Sequence, residues 1–94
     1  MAQKTETYIF DGRTFEVTTV LEAGFGGAMA HSFIYEVVRP NWKFFRTRMV
    51  DDKTFWVSDY ETIQEGAKTM LARVLSREKE LAEIRQKWAD FEKQ

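Results

Sequence analysis

The chain has 94 residues, which suits one domain with a single core, so we expect one domain over residues 1–94. It has no cysteine, and its 44% hydrophobic and 15% aromatic residues can form a core without disulfides. A net charge of −1 gives no overall field that would attract nucleic acid or an anionic membrane. Because the sequence lacks both cysteine and any apolar run of about 18 residues, and because its first residues are polar, it predicts a cytoplasmic protein.

The first part of the chain carries strand and turn signals. The pair Asp11-Gly12 lies between the apolar-rich runs 8–10 and 15–21. Asp-Gly between such runs predicts a β-hairpin. The segment 24–27 contains three glycines, and we expect it to form a long, mobile connection.

A third strand is predicted over 31–39, where apolar residues occupy both alternating positions. Phe33 would lie on one face and Ile34 on the other, a pattern typical of a central strand. Pro40-Asn41 then favours a tight turn.

Two further strands are predicted over 42–49 and 54–57, separated by a turn at 51–53. Short connections between consecutive strands indicate antiparallel pairing. The predicted fold is therefore α+β, with an antiparallel β-meander of four to five strands over about 6–57. A long C-terminal helix would pack on one face of this sheet.

The helix is predicted over about 58–92. Ser58 and Glu61 have the spacing of a capping box, and no proline or glycine follows Gly66. Apolar residues recur at intervals of four and three, which keeps them on one side of a helix. They are Ile63, Ala67, Met70, Val74, Leu81, Ile84, Trp88 and Phe91.

Arg77 divides this helix into two halves. Leu71 and Leu75 widen the apolar face of the first half, whereas only a narrow stripe continues after Arg77. A helix of this length spans roughly 50 Å, while a compact chain of this size is roughly 30 Å across. We therefore expect the second half to protrude and to bind a partner. We call its stripe the helix seam, consisting of Arg77, Leu81, Ile84, Trp88 and Phe91.

The charges beside the helix seam favour pairing of two copies of the chain through this seam. In a parallel two-stranded coil, three pairs flanking the seam would join opposite charges. The pairs are Arg73 with Glu78, Glu80 with Arg85, and Lys87 with Glu92. Two other interpretations remain open, namely a helix end that is simply solvated and a helix that bends at Arg77 so that its tail folds back onto the sheet.

A second candidate surface is basic and aromatic. Residues 31–50 contain four basic residues and one acidic residue, so this stretch carries +3 and the rest of the chain −4. Arginines beside exposed aromatic rings occur in protein hot spots and in sites that stack on unpaired bases, but also on ordinary exposed sheets. The candidate residues are Tyr35, Arg39, Trp42, Lys43, Phe44, Arg46, Arg48 and Trp56, with Phe45 and Met49 expected to face the core.

No pattern in the sequence predicts catalysis, a metal site or a cofactor. His31 is the only histidine, and no histidine or cysteine spacing typical of metal ligands occurs. The glycines of 24–27 lead into a strand, whereas phosphate-binding loops lead into a helix. Asp51-Asp52 is typical of a solvated turn. We therefore expect a protein that is not an enzyme.

The leading functional hypothesis is a protein-interaction module, such as a regulator, adaptor or inhibitor, that binds through the sheet face and the helix seam. Small proteins of viruses and mobile elements that block host nucleoprotein complexes often have this architecture, although no motif identifies such a family. The alternative is a nucleic-acid-binding protein that uses Arg39, Lys43, Arg46 and Arg48, with Trp42 or Phe44 stacking on bases.

Overall fold

The computed structural model of the chain describes residues 2–24, 26–40 and 45–94. Four antiparallel strands form one sheet in the order β1-β2-β3-β4, and a long C-terminal helix packs on one of its faces. This arrangement confirms the predicted α+β meander. The elements are β1 (Gln3–Phe10), β2 (Arg13–Gly24), β3 (Gly27–Pro40), β4 (Phe45–Trp56), a 3-10 turn (Val57–Asp59) and α1 (Ile63–Glu92).

The first two hairpins have two-residue connections. Asp11 and Gly12 have positive φ angles of 49° and 77°, as a type I′ turn requires, so the predicted Asp-Gly hairpin is confirmed. The expectation of a long connection at the glycine-rich segment is wrong, because Gly24 pairs directly with Gly27. Gly26 and Gly27 take φ angles of 87° and 147°, so the glycines serve a tight turn.

Strand β4 is one long strand, so the predicted turn at 51–53 is wrong. Asp51 and Asp52 pair with Ile34 and Phe33 across the ladder, and the register shift between Ile34 and Tyr35 leaves Val50 as an extra residue. A β-bulge absorbs such a residue without ending the strand. The two acids are tolerated because β4 is an edge strand with one side in water. The turn predicted at Pro40-Asn41 falls on 41–44, outside the described residues, although Pro40 itself pairs with Phe45.

The helix begins later than its sequence signal predicted. Ser58 lies in the 3-10 turn, and Thr62 caps α1 by accepting a hydrogen bond from the Glu65 backbone N–H at 3.0 Å. The ring of Tyr60 meets that of Phe55 edge-on at 5.4 Å, with Tyr60 in an extended conformation. This contact holds the segment before Thr62 out of the helix, which explains the delayed start.

The core lies between the first half of α1 and the face of the sheet beneath it. We call this side of the sheet the helix side and the opposite side the open face. The buried side chains on the helix side include Phe15, Val17, Ala30, Ile34 and Phe55, and those of α1 are Ala67, Met70, Leu71 and Val74. Gly66 lies directly on the ring of Phe55.

The second half of α1 leaves the sheet. Every residue from Ser76 to the C-terminus is exposed, and α1 continues without a break to Glu92. The interpretation in which the tail bends at Arg77 and folds back is therefore wrong. The Cα radius of gyration, 16.3 Å, exceeds the roughly 12 Å of a compact chain this long, as a protruding helix requires.

We predict that Gly66→Ala destabilises the fold by about 1 to 2 kcal/mol, although alanine has the higher helix propensity. The added methyl would overlap the ring of Phe55, which is only 5% exposed and packs in the core, so either the ring or the helix must shift. Urea denaturation measures the change. Lys68→Ala, at an exposed position of the same helix, is the control and should change stability by less than about 0.5 kcal/mol. A Gly66→Ala protein at least as stable as the unmodified chain would contradict this account of the contact.

Candidate functional site

Four charged side chains join the sheet to the helix at the point where α1 leaves the sheet. Arg13 donates two hydrogen bonds to the Glu36 carboxylate, at 2.8 and 2.9 Å, and two to Glu78 on α1, at 2.8 and 3.3 Å. Arg48 donates a further bond to Glu36 at 3.0 Å. We call Arg13, Glu36, Arg48 and Glu78 the Arg13 cluster. It marks the boundary between the packed and the protruding half of α1.

The cluster stabilises the ionised form of Glu36. The hydrogen bonds from Arg13, together with the single one from Arg48, lower the pKa of Glu36 to about 2 against the opposing effect of burial. The same contacts with Glu36 and Glu78 raise the pKa of Arg13. Only 11% of the Glu36 side chain is exposed, so its charge depends on these two arginines. The cluster is thus a set of matched ion pairs without a free acid or base.

Beyond the cluster, the apolar residues of the helix seam point into solvent. Leu81, Ile84, Trp88 and Phe91 are 38%, 51%, 60% and 63% exposed, and the rings of Trp88 and Phe91 lie 5.4 Å apart. Arg77 is also exposed and forms an ion pair of 3.5 Å with Glu80 on the same helix. The structure therefore brings the sequence-predicted seam residues together on one protruding surface.

The residues predicted for the sheet surface do not share one face. Tyr35 and Trp56 lie on the open face, but Arg48 lies on the helix side, where it binds Glu36. Arg46, two residues earlier on β4, shares the helix side by alternation. Met49 is 49% exposed on the open face, so its assignment to the core was wrong. The prediction inverted the faces of this strand.

The remaining predicted residues of that surface fall outside the described part of the chain. Trp42, Lys43 and Phe44 lie outside the described residues, as does the side chain of Arg39. The predicted core position of the Phe45 side chain falls there too. The basic and aromatic surface is thus placed only at Tyr35, Arg46, Arg48 and Trp56.

The open face contains side chains that sequence reasoning did not select. His31 stacks on Phe33 with ring centroids 4.2 Å apart, and its Nε2 lies 2.7 Å from a carboxylate oxygen of Asp52. His31, Phe33 and Tyr35 alternate along β3, so the sequence alone could have placed all three on one face of the strand. Other charged residues described on this face are Glu16 and Glu22, both acidic. The described part of the open face is therefore aromatic and acidic.

A cavity of about 310 Å³ lies beside the start of α1, where the helix leaves part of β1 and β2 uncovered. Burial and the hydrogen bond that Tyr8 donates to Glu6 raise the pKa of Tyr8 to about 12, so its hydroxyl stays protonated at neutral pH. That hydroxyl cannot act as a base there. Residues lining the cavity include Lys4, Glu6, Tyr8, Val17, Leu21, Ile63 and Ala67.

Within the described residues, no three histidine or acidic side chains lie close enough to hold a metal ion. None of the helices described there is long and apolar enough to cross a membrane. No protein-family model matches the chain, and no curated protein or solved structure matches it.

We predict that the Arg13 cluster makes folding stability fall in acid. Because the pKa of Glu36 is lower in the folded chain than its ordinary value of 4.5, the unfolded chain takes up the proton first as pH falls. The contribution, about 3 kcal/mol, is complete above about pH 4.5 and is lost as pH falls toward about 2. Urea denaturation across this pH range measures it.

Glu36→Gln should lower stability at pH 7 and flatten the pH dependence between these limits. Glu83→Gln, which removes the same charge from an exposed position of the protruding helix, is the matched control and should leave the slope unchanged. Equal slopes for the unmodified chain and Glu36→Gln would show that Glu36 is not responsible.

Proposed function

We propose that this protein is a non-enzymatic protein-interaction module, a regulator, adaptor or inhibitor that binds through the C-terminal helix seam and the open face. The observation that carries the proposal is the protruding seam. Its last two residues, Trp88 and Phe91, are aromatic and about three-fifths exposed. Aromatic residues in such positions are typical interface anchors, because burying them gains roughly 2 kcal/mol each.

The chain's own core does not need this half of α1. The buried positions of α1 end at Val74, and the Arg13 cluster secures the helix at Glu78. The following residues retain a regular apolar stripe, although none of them is buried and the buried positions of the described core lie elsewhere. A stripe without a structural role inside the domain supports a role in binding.

The open face supports a second contact region on the opposite side of the sheet. Trp56 and Met49 are 43% and 49% exposed there, beside the partly buried rings of Phe33 and Tyr35. Because α1 covers only the helix side, a partner can reach both surfaces. A bridging role of this kind suits an adaptor, or an inhibitor that obstructs a larger assembly such as a nucleoprotein complex of a host cell.

Nucleic-acid binding is the weaker candidate. Counting only the described side chains, Arg13 and Arg48 are committed to Glu36 on the helix side, while Glu16, Glu22 and Asp52 make the open face acidic. Phosphate would be repelled from that face. The stretch 31–50 nevertheless retains its net charge of +3, so the alternative needs an experiment.

The interaction proposal predicts that partners captured from the native host depend on the seam. Trp88→Ala and Ile84→Ala should each reduce capture at least about tenfold, the effect of losing a hot-spot side chain. Glu83→Ala, on an exposed part of the same helix, is the matched control and should capture as the unmodified chain does. Circular dichroism checks that all variants fold. Capture unaffected by both seam variants would refute a binding role for the seam.

A mobility-shift assay with random-sequence DNA and RNA at low salt decides the alternative. We expect no shift, because the described open face is acidic. A shift that weakens steeply with added salt and disappears in Arg46→Glu would instead support nucleic-acid binding. Glu83→Lys places a positive charge on the exposed helix instead of the sheet, and so controls for a general effect of net charge on binding.

A further inference from the structure

We propose that the partner of the helix seam is a second copy of this chain, and that the two protruding tails pack antiparallel, side by side. The inference rests on the proposed function in one respect, since it takes the seam to be a binding surface. It adds the identity of the partner and the direction in which that partner lies.

The position of the sheet excludes the parallel arrangement that the charge pattern predicted. The seam residues Leu81 and Trp88 continue the stripe of Ala67 and Val74, which face the sheet. In an ideal helix this stripe turns by about 20° per heptad, so over the two heptads from Val74 to Trp88 it turns by about 40° and the seam still lies on the sheet side of α1. A parallel partner helix, about 8 to 10 Å away, would extend back into the space that the sheet occupies.

An antiparallel partner avoids this collision. The exposed stretch of α1 from Ser76 to Glu92 is about 25 Å long. A partner helix that runs in the opposite direction and crosses at the level of Gln86 ends level with Glu80, just short of Glu78 in the Arg13 cluster. The sheet of the partner copy then lies beyond the C-terminus of the first helix. The two sheets then sit at opposite ends of the paired tails. Such a contact uses the same surface on both copies and closes as a symmetric dimer.

The order of side chains along the seam fits this pairing. When the two tails cross at the level of Gln86, Leu81 meets Phe91 of the partner copy, and Ile84 meets Trp88 of the partner copy. Each layer thus joins an aliphatic side chain to an aromatic ring. Layers of similar volume pack without large voids. A parallel pair would instead place the largest rings opposite each other and the smaller aliphatic side chains opposite each other.

The area available is sufficient for a dimer of moderate affinity. Buried aromatic side chains cover about 150 to 250 Å² each, so the exposed parts of the four rings in two copies supply roughly 500 Å². The aliphatic seam residues and the flanking stems raise the total to roughly 1,000 Å², the lower limit for a specific interface. We expect dissociation in the micromolar range.

Flanking charges give the antiparallel pairing an unusual salt dependence. At this register Arg85 faces Arg85 of the partner copy and Lys87 faces Lys87 of the partner copy. Exposed like-charge contacts cost only a few tenths of a kcal/mol each and are screened by salt. Association should therefore strengthen about two- to fivefold between about 0.05 and 0.5 M salt. A parallel coil with its opposite-charge pairs would weaken over the same range.

Sedimentation equilibrium of the full chain tests self-association. We expect a dimer at micromolar concentration that becomes tighter with salt, a more than tenfold weaker dimer for Trp88→Ala, and no change for Glu83→Ala. A monomer at every concentration, or a dimer that weakens with salt, would overturn the inference. A monomer that still captures another protein through the seam would leave the proposed function intact, so the two failures are distinguishable.

Single cysteines test the direction, because the chain has none of its own. With a short thiol-reactive crosslinker, Arg85→Cys should link to itself, whereas Glu83→Cys, on the outer side of the helix, should not. Equal crosslinking of these two variants would overturn the inference. So would crosslinking that requires a mixture of Glu80→Cys and Arg85→Cys, because those positions adjoin only in a parallel pair.

Discussion

The contact of Arg13 with Glu36 and Glu78 joins the sheet to the helix at the point where the helix leaves the sheet. A guanidinium group has five N–H donors in a planar fork, so it can bind two carboxylates in two directions at once. Arg13 is the first residue of β2, directly after the first turn. It binds Glu36 on the neighbouring strand β3 and Glu78 on α1. The buried residues of α1 all lie before this point, and every residue of α1 from Ser76 onward is exposed.

The packed half of α1 covers only part of one sheet face and leaves the rest of the sheet accessible. Ala67, Leu71 and Val74 cover the centre of one sheet face, where Phe15, Val17 and Ile34 are almost inaccessible to solvent. One helix is too narrow to cover four strands, so part of β1 and β2 remains uncovered and lines a cavity. No second helix covers the open face within the described residues. Its exposed aromatic side chains, like the seam, are therefore available to a partner.

Much of the fold could be predicted from residues whose signal is local. The Asp11-Gly12 turn, the alternation of Phe15 and Val17 and the long apolar stripe of α1 identify the hairpin, the core strand and the helix. The errors arose where a tertiary contact overrode a local signal. The bulge at Val50 continued β4 through an expected turn, and the ring of Tyr60 on Phe55 delayed the start of α1.

By itself, the sequence determined the fold class, the excess length of the helix and the identity of its seam residues, because each depends on periodicity within one segment. Only the tertiary structure decided which face of β4 carries Arg48, since a single bulge shifts the alternation along a strand. The same holds for the Arg13 cluster, whose two carboxylates lie 23 and 65 positions from Arg13. No local pattern links residues that far apart. The position of the sheet on the seam side of α1 likewise depends on the tertiary packing of Ala67, Leu71 and Val74.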